Sequence, residues 1–403
     1  MKKNNKRLKT LTKIIIIIVI IMLIEVLYVG YSVLFNNKES LYFDGINAIV
    51  LNKSSYITVG SNNNNDKKYE KAKLSTYNDK YEKDFEKLYN IGYNSAFFGV
   101  CTDEDNIIAV GSYEKNKTDH KNSIRRALIV KYDKDGEILF EKDFKLLDNS
   151  KFTSVVSLED GYLVTGQSIY KNTKVGDGVG GAILIKYDKD GNIIWKRNYG
   201  SSKSAVYNDL LVLDNNIYTV GMDENNLGII VKYDMDGNLI TYNDYKSTDD
   251  LGFSGIINLD DKIYISGSNH SKNDHTNAMI VEYDLDCNYE KQIIYEEKGI
   301  TRYNKLAKDS HDNIIAIGIK TTTKKSKNKS ADVLNYDGII GKYNKNLEEV
   351  TVEVYGEERD DYFTDILVVD NTYLVVGYSS YEDGSYLSKF IRYSDALKIL
   401  GVE

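Results

Sequence analysis

The stretch Ile183–Tyr199, ILIKYDKDGNIIWKRNY, holds two runs of branched apolar residues around DKDGN. That central cluster has the composition of a calcium loop and equally of a tight turn. Close copies recur along the chain, so whichever reading holds here governs most of the fold. A calcium loop needs further oxygen ligands and a bidentate Glu near its twelfth position. Here an apolar run resumes within three residues of Asp190. Asp-Gly between two such runs is a strong hairpin signal, with glycine taking a positive φ and aspartate bonding its own backbone. The reading adopted is therefore a β-hairpin.

Outward from this hairpin the chain repeats itself. A tyrosine ends an apolar run at Tyr77, Tyr132, Tyr187, Tyr233, Tyr283, Tyr343 and Tyr393, at spacings of 55, 55, 46, 50, 60 and 50 residues. Five positions before each tyrosine stands a small residue: Ala72, Ala127, Ala182, Gly228, Ala278, Gly338 and Ser388. A second landmark, an apolar run ending in glycine, closes at Gly60, Gly111, Gly166, Gly221, Gly267, Gly318 and Gly377 and alternates strictly with the first. A period of this size marks an array of one supersecondary unit. In the fourth copy the unit reads as four strands, YNDLLVL, IYTVG, GIIVKYD and NLITYNDY, separated by turn residues. The third strand is apolar on both faces and so needs cover on both sides. A four-stranded sheet packed against a neighbour on each face is a propeller blade, and the small position leaves room for a bulky side chain from the adjacent blade. The predicted fold class is all-β: a seven-bladed β-propeller of four-stranded antiparallel blades over residues 41–403, preceded by one N-terminal transmembrane helix.

The unit KYDKDGNIIWKRNYG resembles the repeats of bacterial extracytoplasmic β-propeller proteins, and its last two strands are similar to the PQQ-like repeat, in which a glycine turn leads to a tryptophan. The resemblance covers about residues 41–403 and implies architecture, since many functions use this scaffold. Trp195 is the single tryptophan, with Phe140 and Thr241 at the matching positions. The tryptophan docking of quinoprotein enzymes is accordingly not expected here, and neither is a quinone or any other cofactor.

Before the repeats, Lys2, Lys3, Lys6, Arg7, Lys9 and Lys13 precede an apolar run from Ile14 to Phe35. As a helix, its residues would reach roughly 33 Å, against a hydrocarbon core of about 30 Å. Glu25 opposes insertion by about 3 kcal/mol, and the many branched and aromatic residues around it outweigh that. No A-x-A cleavage site follows; Gly30 and Ser32 form a weak one. The expectation is a basic cytoplasmic segment over 1–13, a transmembrane signal anchor over 14–35, a linker over 36–40 and the propeller outside the cell membrane.

Composition narrows the function. With 42% hydrophobic and 28% charged residues the chain has the make-up of a folded protein. A net charge of -8 argues against nucleic acid as a partner. Cys101 and Cys287 are too few for a disulfide framework or a thiolate cluster. Nor does any GxSxG, HExxH or glycine-rich phosphate loop occur.

In a four-stranded meander, the first-to-second and third-to-fourth turns share one face, and the second-to-third loops share the other with the connections between units. The Asp-x-Asp-Gly turns lie on the first face. The long variable segments 61–71, 112–126, 167–181, 268–277, 319–337 and 378–387 gather on the second, and insertions on one face often mark the binding surface of a repeat protein. Candidate ligand-binding residues there are His270, Asp274 and His275 in one loop, Lys324 and Lys325 in another, and Asp209 and Asp365 at the starts of inner strands. No metal is assigned to them. The expected function is a non-enzymatic binding or scaffold module for a protein or cell-wall polysaccharide. The alternative is a hydrolase or lyase acting on a polymer at the axial opening.

Overall fold

The computed structural model describes residues 43–63, 69–115, 124–144, 149–169, 181–200, 205–245, 251–270, 275–324, 333–357, 359–381 and 385–402. All the regular elements among them are strands, within a compact unit spanning Tyr42–Glu403. One copy shows the plan: Val206–Leu213, Asn216–Met222, Gly228–Asp234 and Leu239–Asp244 pair in that order as an antiparallel meander. Asp214 and Asn215 turn the first pair with φ of 49° and 58°, the left-handed values a tight hairpin needs.

Hydrogen bonding divides the strands into five four-stranded sheets and one eight-stranded sheet between Tyr93 and Tyr199. The expectation of seven separate four-stranded blades is thereby corrected: the propeller has five such blades, and the other eight strands hydrogen-bond as one sheet. The eight-stranded sheet arises where Arg125 pairs in parallel with Asn149. The Asn149 side chain accepts from the Arg125 amide at 3.1 Å, and Ser150 Oγ accepts from the Ala127 amide at 2.9 Å. A repeat read from sequence cannot show a bond between two copies. The predicted transmembrane helix also finds no support: residues 14–35 lie outside the described residues, and among the described residues no helix is long and apolar enough to cross a membrane.

The first strands of successive copies, Asp44–Asn52, Tyr93–Asp103, Asn149–Leu158, Val206–Leu213, Leu251–Leu259, Thr301–Lys308 and Asp361–Val369, stand side by side around the axis, the last against the first. Each carries a bulge between its third and sixth positions, for example between Tyr207 and Asp209. The glycine landmark faces that bulge. A Cβ on Gly221 would lie 1.9 Å from the Val206 carbonyl oxygen, and one on Gly318 or Gly377 would lie 1.8 Å from that of Arg302 or Tyr362. Glycine is required by close backbone approach rather than by φ.

The small position of the third strand receives the aromatic of the next first strand. A Cβ on Gly228 would meet the Phe253 ring at 3.1 Å, and one on Gly338 the Phe363 ring at 2.6 Å. Around each such aromatic the tyrosines collect. Phe253 contacts Tyr245 before it and Tyr283 after it edge-on, with centroids 5.8 and 6.3 Å away. Tyr207 and Tyr233 instead share a hydroxyl hydrogen bond of 2.7 Å, and Tyr303 and Tyr343 one of 2.6 Å. Edge contacts of this kind contribute about 0.5–1.5 kcal/mol each beyond buried area. The core is thus a series of layers between successive sheets.

The hairpin question resolves in favour of the turn. Asp188 Oδ1 accepts from the amides of Asp190 at 3.0 Å and Asn192 at 2.8 Å, while Gly191 takes a φ of 77°. Where the motif decays the turn survives: Asn344 Oδ1 accepts from Asn346 and Glu348, and Leu347 holds a φ of 63°. The glycines have a second role that the sequence reading missed. A Cβ on Gly136, Gly191 or Gly237 would lie 2.9, 2.8 or 3.0 Å from Phe85, Phe140 or Trp195 of the preceding copy. Aromatic-on-glycine docking is therefore present, with phenylalanine serving as well as tryptophan.

Candidate functional site

The bulge re-aims one side chain per first strand toward the axis. These are Asn47, Phe98, Thr153, Asn208, Ser254, Asn304 and Thr364, and all line an axial cavity of about 160 Å³. Five of them donate to the bulge carbonyl of the next first strand: Asn47 to Phe97 at 2.7 Å, Thr153 to Tyr207 at 2.6 Å, Asn208 to Phe253 at 2.7 Å, Asn304 to Phe363 at 2.8 Å and Thr364 to Ile46 at 2.7 Å. The last of these closes the ring between the two ends of the described chain. Phe98, carrying no donor, cannot make this bond.

One residue further on stand Ala48, Gly99, Ser154, Asp209, Gly255, Lys305 and Asp365. Asp209 accepts from Ser154 Oγ at 2.8 Å, from Lys305 Nζ at 2.7 Å and from the Ile256 amide at 3.3 Å. Asp365 accepts from the amides of Ile49 and Ile366, both at 2.9 Å. Both aspartates, proposed from sequence as ligand-binding, thus bond the backbone of the next first strand and face Lys305. Burial pushes the Asp365 carboxyl above the ordinary aspartate range, against the pull of Lys305 and the two amides. For Lys305, burial pulls the ammonium down, but attraction to Asp209 and Asp365 outweighs it and the net shift is upward.

Of the remaining candidates, His270 and His275 have no contact at the axis among the described residues. His275 Nδ1 accepts from the Gly299 amide at 3.2 Å, and His270 Nδ1 lies 3.3 Å from Thr276 Oγ1. Asp274 and Lys325 lie outside the described residues. Lys324 ends the strand Ile314–Lys324, and only its backbone is described. Among the described residues no group of three His, Cys, Asp or Glu is placed to hold a metal ion.

The loop face also carries an aromatic strip that sequence reasoning missed. Phe43 lies against Tyr386 and Tyr378, Tyr378 stacks on Tyr362 with centroids 5.0 Å apart, and Tyr362 lies 5.7 Å from Tyr336. All five are half-buried and sit where strands begin or end on that face. Their positions span 43 to 386, and the chain holds 34 tyrosines, so nothing local marks them.

Sheets arranged around an axis, with bulged first strands lining it, make the protein a β-propeller. No family model matches the chain, and no curated protein matches it. Among solved structures it is similar to the Chaetomium thermophilum Sqt1 bound to the N-terminus of the ribosomal protein L10, at 11% identity over 90% of this chain and 89% of that one, with a TM-score of 0.52. It is similar also to the WD40 β-propeller domain of Doa1, at 11% identity over 87% and 95% of the two chains, TM-score 0.51. A third likeness is to a Mycobacterium tuberculosis puromycin-hydrolyzing peptidase, at 9% identity over 89% of this chain and 52% of that one, TM-score 0.52. Identities this low show shared fold and nothing finer.

Proposed function

We propose that this propeller is a non-enzymatic binding or scaffold module of the bacterial extracytoplasmic kind, displayed at the outer surface of a cell membrane, whose loop face holds a protein or a cell-wall glycan. The observation that carries this reading is the commitment of the axial carboxylates. Asp209 and Asp365, the groups a hydrolase or lyase would need free, each accept from an amide of the next first strand. A cavity of about 160 Å³ also falls below the roughly 300–1,000 Å³ of ordinary ligand pockets. The loop face offers more. It carries the strip Phe43, Tyr336, Tyr362, Tyr378 and Tyr386, and aromatic side chains with polar tips suit both peptide and sugar surfaces. That the similar Sqt1 structure holds the N-terminus of L10 agrees with a protein partner at the level of fold. The display outside a membrane rests on the basic and apolar composition of residues 2–35.

The test replaces residues 170–180 and 325–332 with short turns and measures capture from cell-surface protein and wall extracts, with the melting temperature recorded beside it. Lost capture at an unchanged melting temperature is the expected result; retained capture counts against the loop face. For the display, external protease added to intact spheroplasts should digest the propeller, and protection would contradict it.

A further inference from the structure

We propose that the axial cavity is a site for one small monovalent cation, of the alkali-metal or ammonium class, held against Asp365. The inference does not depend on what the loop face captures.

The chemistry of the wall points to a cation. Asn47, Asn208 and Asn304 turn their amide nitrogens away to the carbonyls of the neighbouring first strands. Each leaves an amide oxygen as an acceptor at the cavity wall. Thr153 and Thr364 donate their hydroxyl hydrogens in the same way, so they too can only accept from a ligand. One arrangement of bonds that closes the ring therefore also lines the axis with oxygen.

The charges agree with the wall. Among the described residues three ionisable groups stand at this level: Asp209, Lys305 and Asp365. Lys305 is bonded to Asp209 and attracts Asp365 only at a distance, so that among the described residues Asp365 has two amide partners and no cation in bonding contact. Asp365 is 8% exposed and lines the cavity directly. A buried carboxylate without a counter-charge is unfavourable unless a cation or a proton neutralises it. The cavity offers room for the cation.

Size and ligand type set the class. About 160 Å³ holds roughly five waters at about 30 Å³ each, so an alkali ion with part of its hydration shell or a methylammonium fits. A calcium site would gather several carboxylates among six to eight oxygens. Here a single carboxylate with amide partners and no bonded cation among the described residues stands among neutral amide and hydroxyl oxygens, and Lys305 adds a positive charge nearby. That combination suits a single positive charge.

The experiment uses the full chain and compares unfolding in choline, sodium, potassium, rubidium and methylammonium chlorides at one ionic strength. A saturable rise of about 2 °C or more over choline, in at least one salt, is expected. Rubidium against methylammonium separates the alkali from the ammonium source. Asp365→Asn should abolish the rise. Because that change could disturb ring closure, Lys305→Met gives a second reading: it removes the nearby positive charge and should increase the rise. Anomalous scattering from rubidium-soaked crystals should then show a peak beside Asp365. Equal melting in all salts for both wild type and Lys305→Met, or water alone at the axis, would overturn the proposal.

Discussion

Lys305 Nζ stands 2.7 Å from Asp209 Oδ2, and it reaches that carboxylate past Gly255, which brings no side chain between them. Asp209 is 4% exposed, whereas the lysine side chain keeps 30% of its surface. Removing the lysine leaves a buried carboxylate with neutral partners alone. Lys305→Met should lower unfolding free energy by about 2 kcal/mol, and adding Asp209→Asn should recover part of the loss. Denaturant unfolding of the four proteins of this cycle measures the coupling. Additivity within about 0.5 kcal/mol would show that the pair contributes nothing as a pair.

Two glycines separate backbone approach from ordinary tolerance. A Cβ on Gly221 meets the Val206 carbonyl oxygen at 1.9 Å, and one on Gly252 meets only Met222 Sδ at 4.0 Å. Gly221→Ala should cost about 3 kcal/mol because backbone must shift, and Gly252→Ala should stay within about 0.5 kcal/mol. Equal effects would remove the steric account of the repeat's glycine.

That glycine shows why much of the fold was legible in sequence. The glycine is a steric demand met within each copy and the small residue one met against the next copy, and both recur at fixed places because every copy faces them in the same way. The number of separate sheets was not legible, because it turns on a single bond between Arg125 and Asn149 of neighbouring copies. Asp209 and Asp365 were located by their place at the starts of inner strands. Their bonds to Ile256 and Ile49 depend on bulges and on which strands are neighbours, and neither is written in local sequence.

The turn reading of DKDGN carries its own test. Asp188 is held below the usual aspartate range by the Asn192 amide and side chain, and both of its oxygens are engaged within the turn. Asp188→Ala should lower the melting temperature by loosening the hairpin, and a chelator should leave wild type and variant unchanged. A fall in the wild-type melting temperature on adding chelator would restore the calcium reading.

Acid stability should depend on Asp309. Burial pushes its carboxyl up, but donors from Asn313, from Tyr373 at 2.8 Å and from Lys342 at 3.1 Å outweigh that and hold it well below the ordinary value. A depressed folded pKa contributes stability above the unfolded value of about 3.9 and loses it as pH falls toward the folded one. Unfolding free energy should therefore decline below about pH 4, and Asp309→Asn should flatten that decline. An unchanged slope in the variant would assign the acid sensitivity elsewhere.

The central claim is that the loop face, and not the turn face, holds the partner. A photo-crosslinking residue placed at Tyr336 on the aromatic strip, and separately at Ile194, which is 52% exposed beyond the hairpin turn, decides between the two faces in one experiment. Irradiation with cell-surface protein and wall extracts should yield adducts from position 336 and none from position 194. Adducts from position 194 alone would contradict the account.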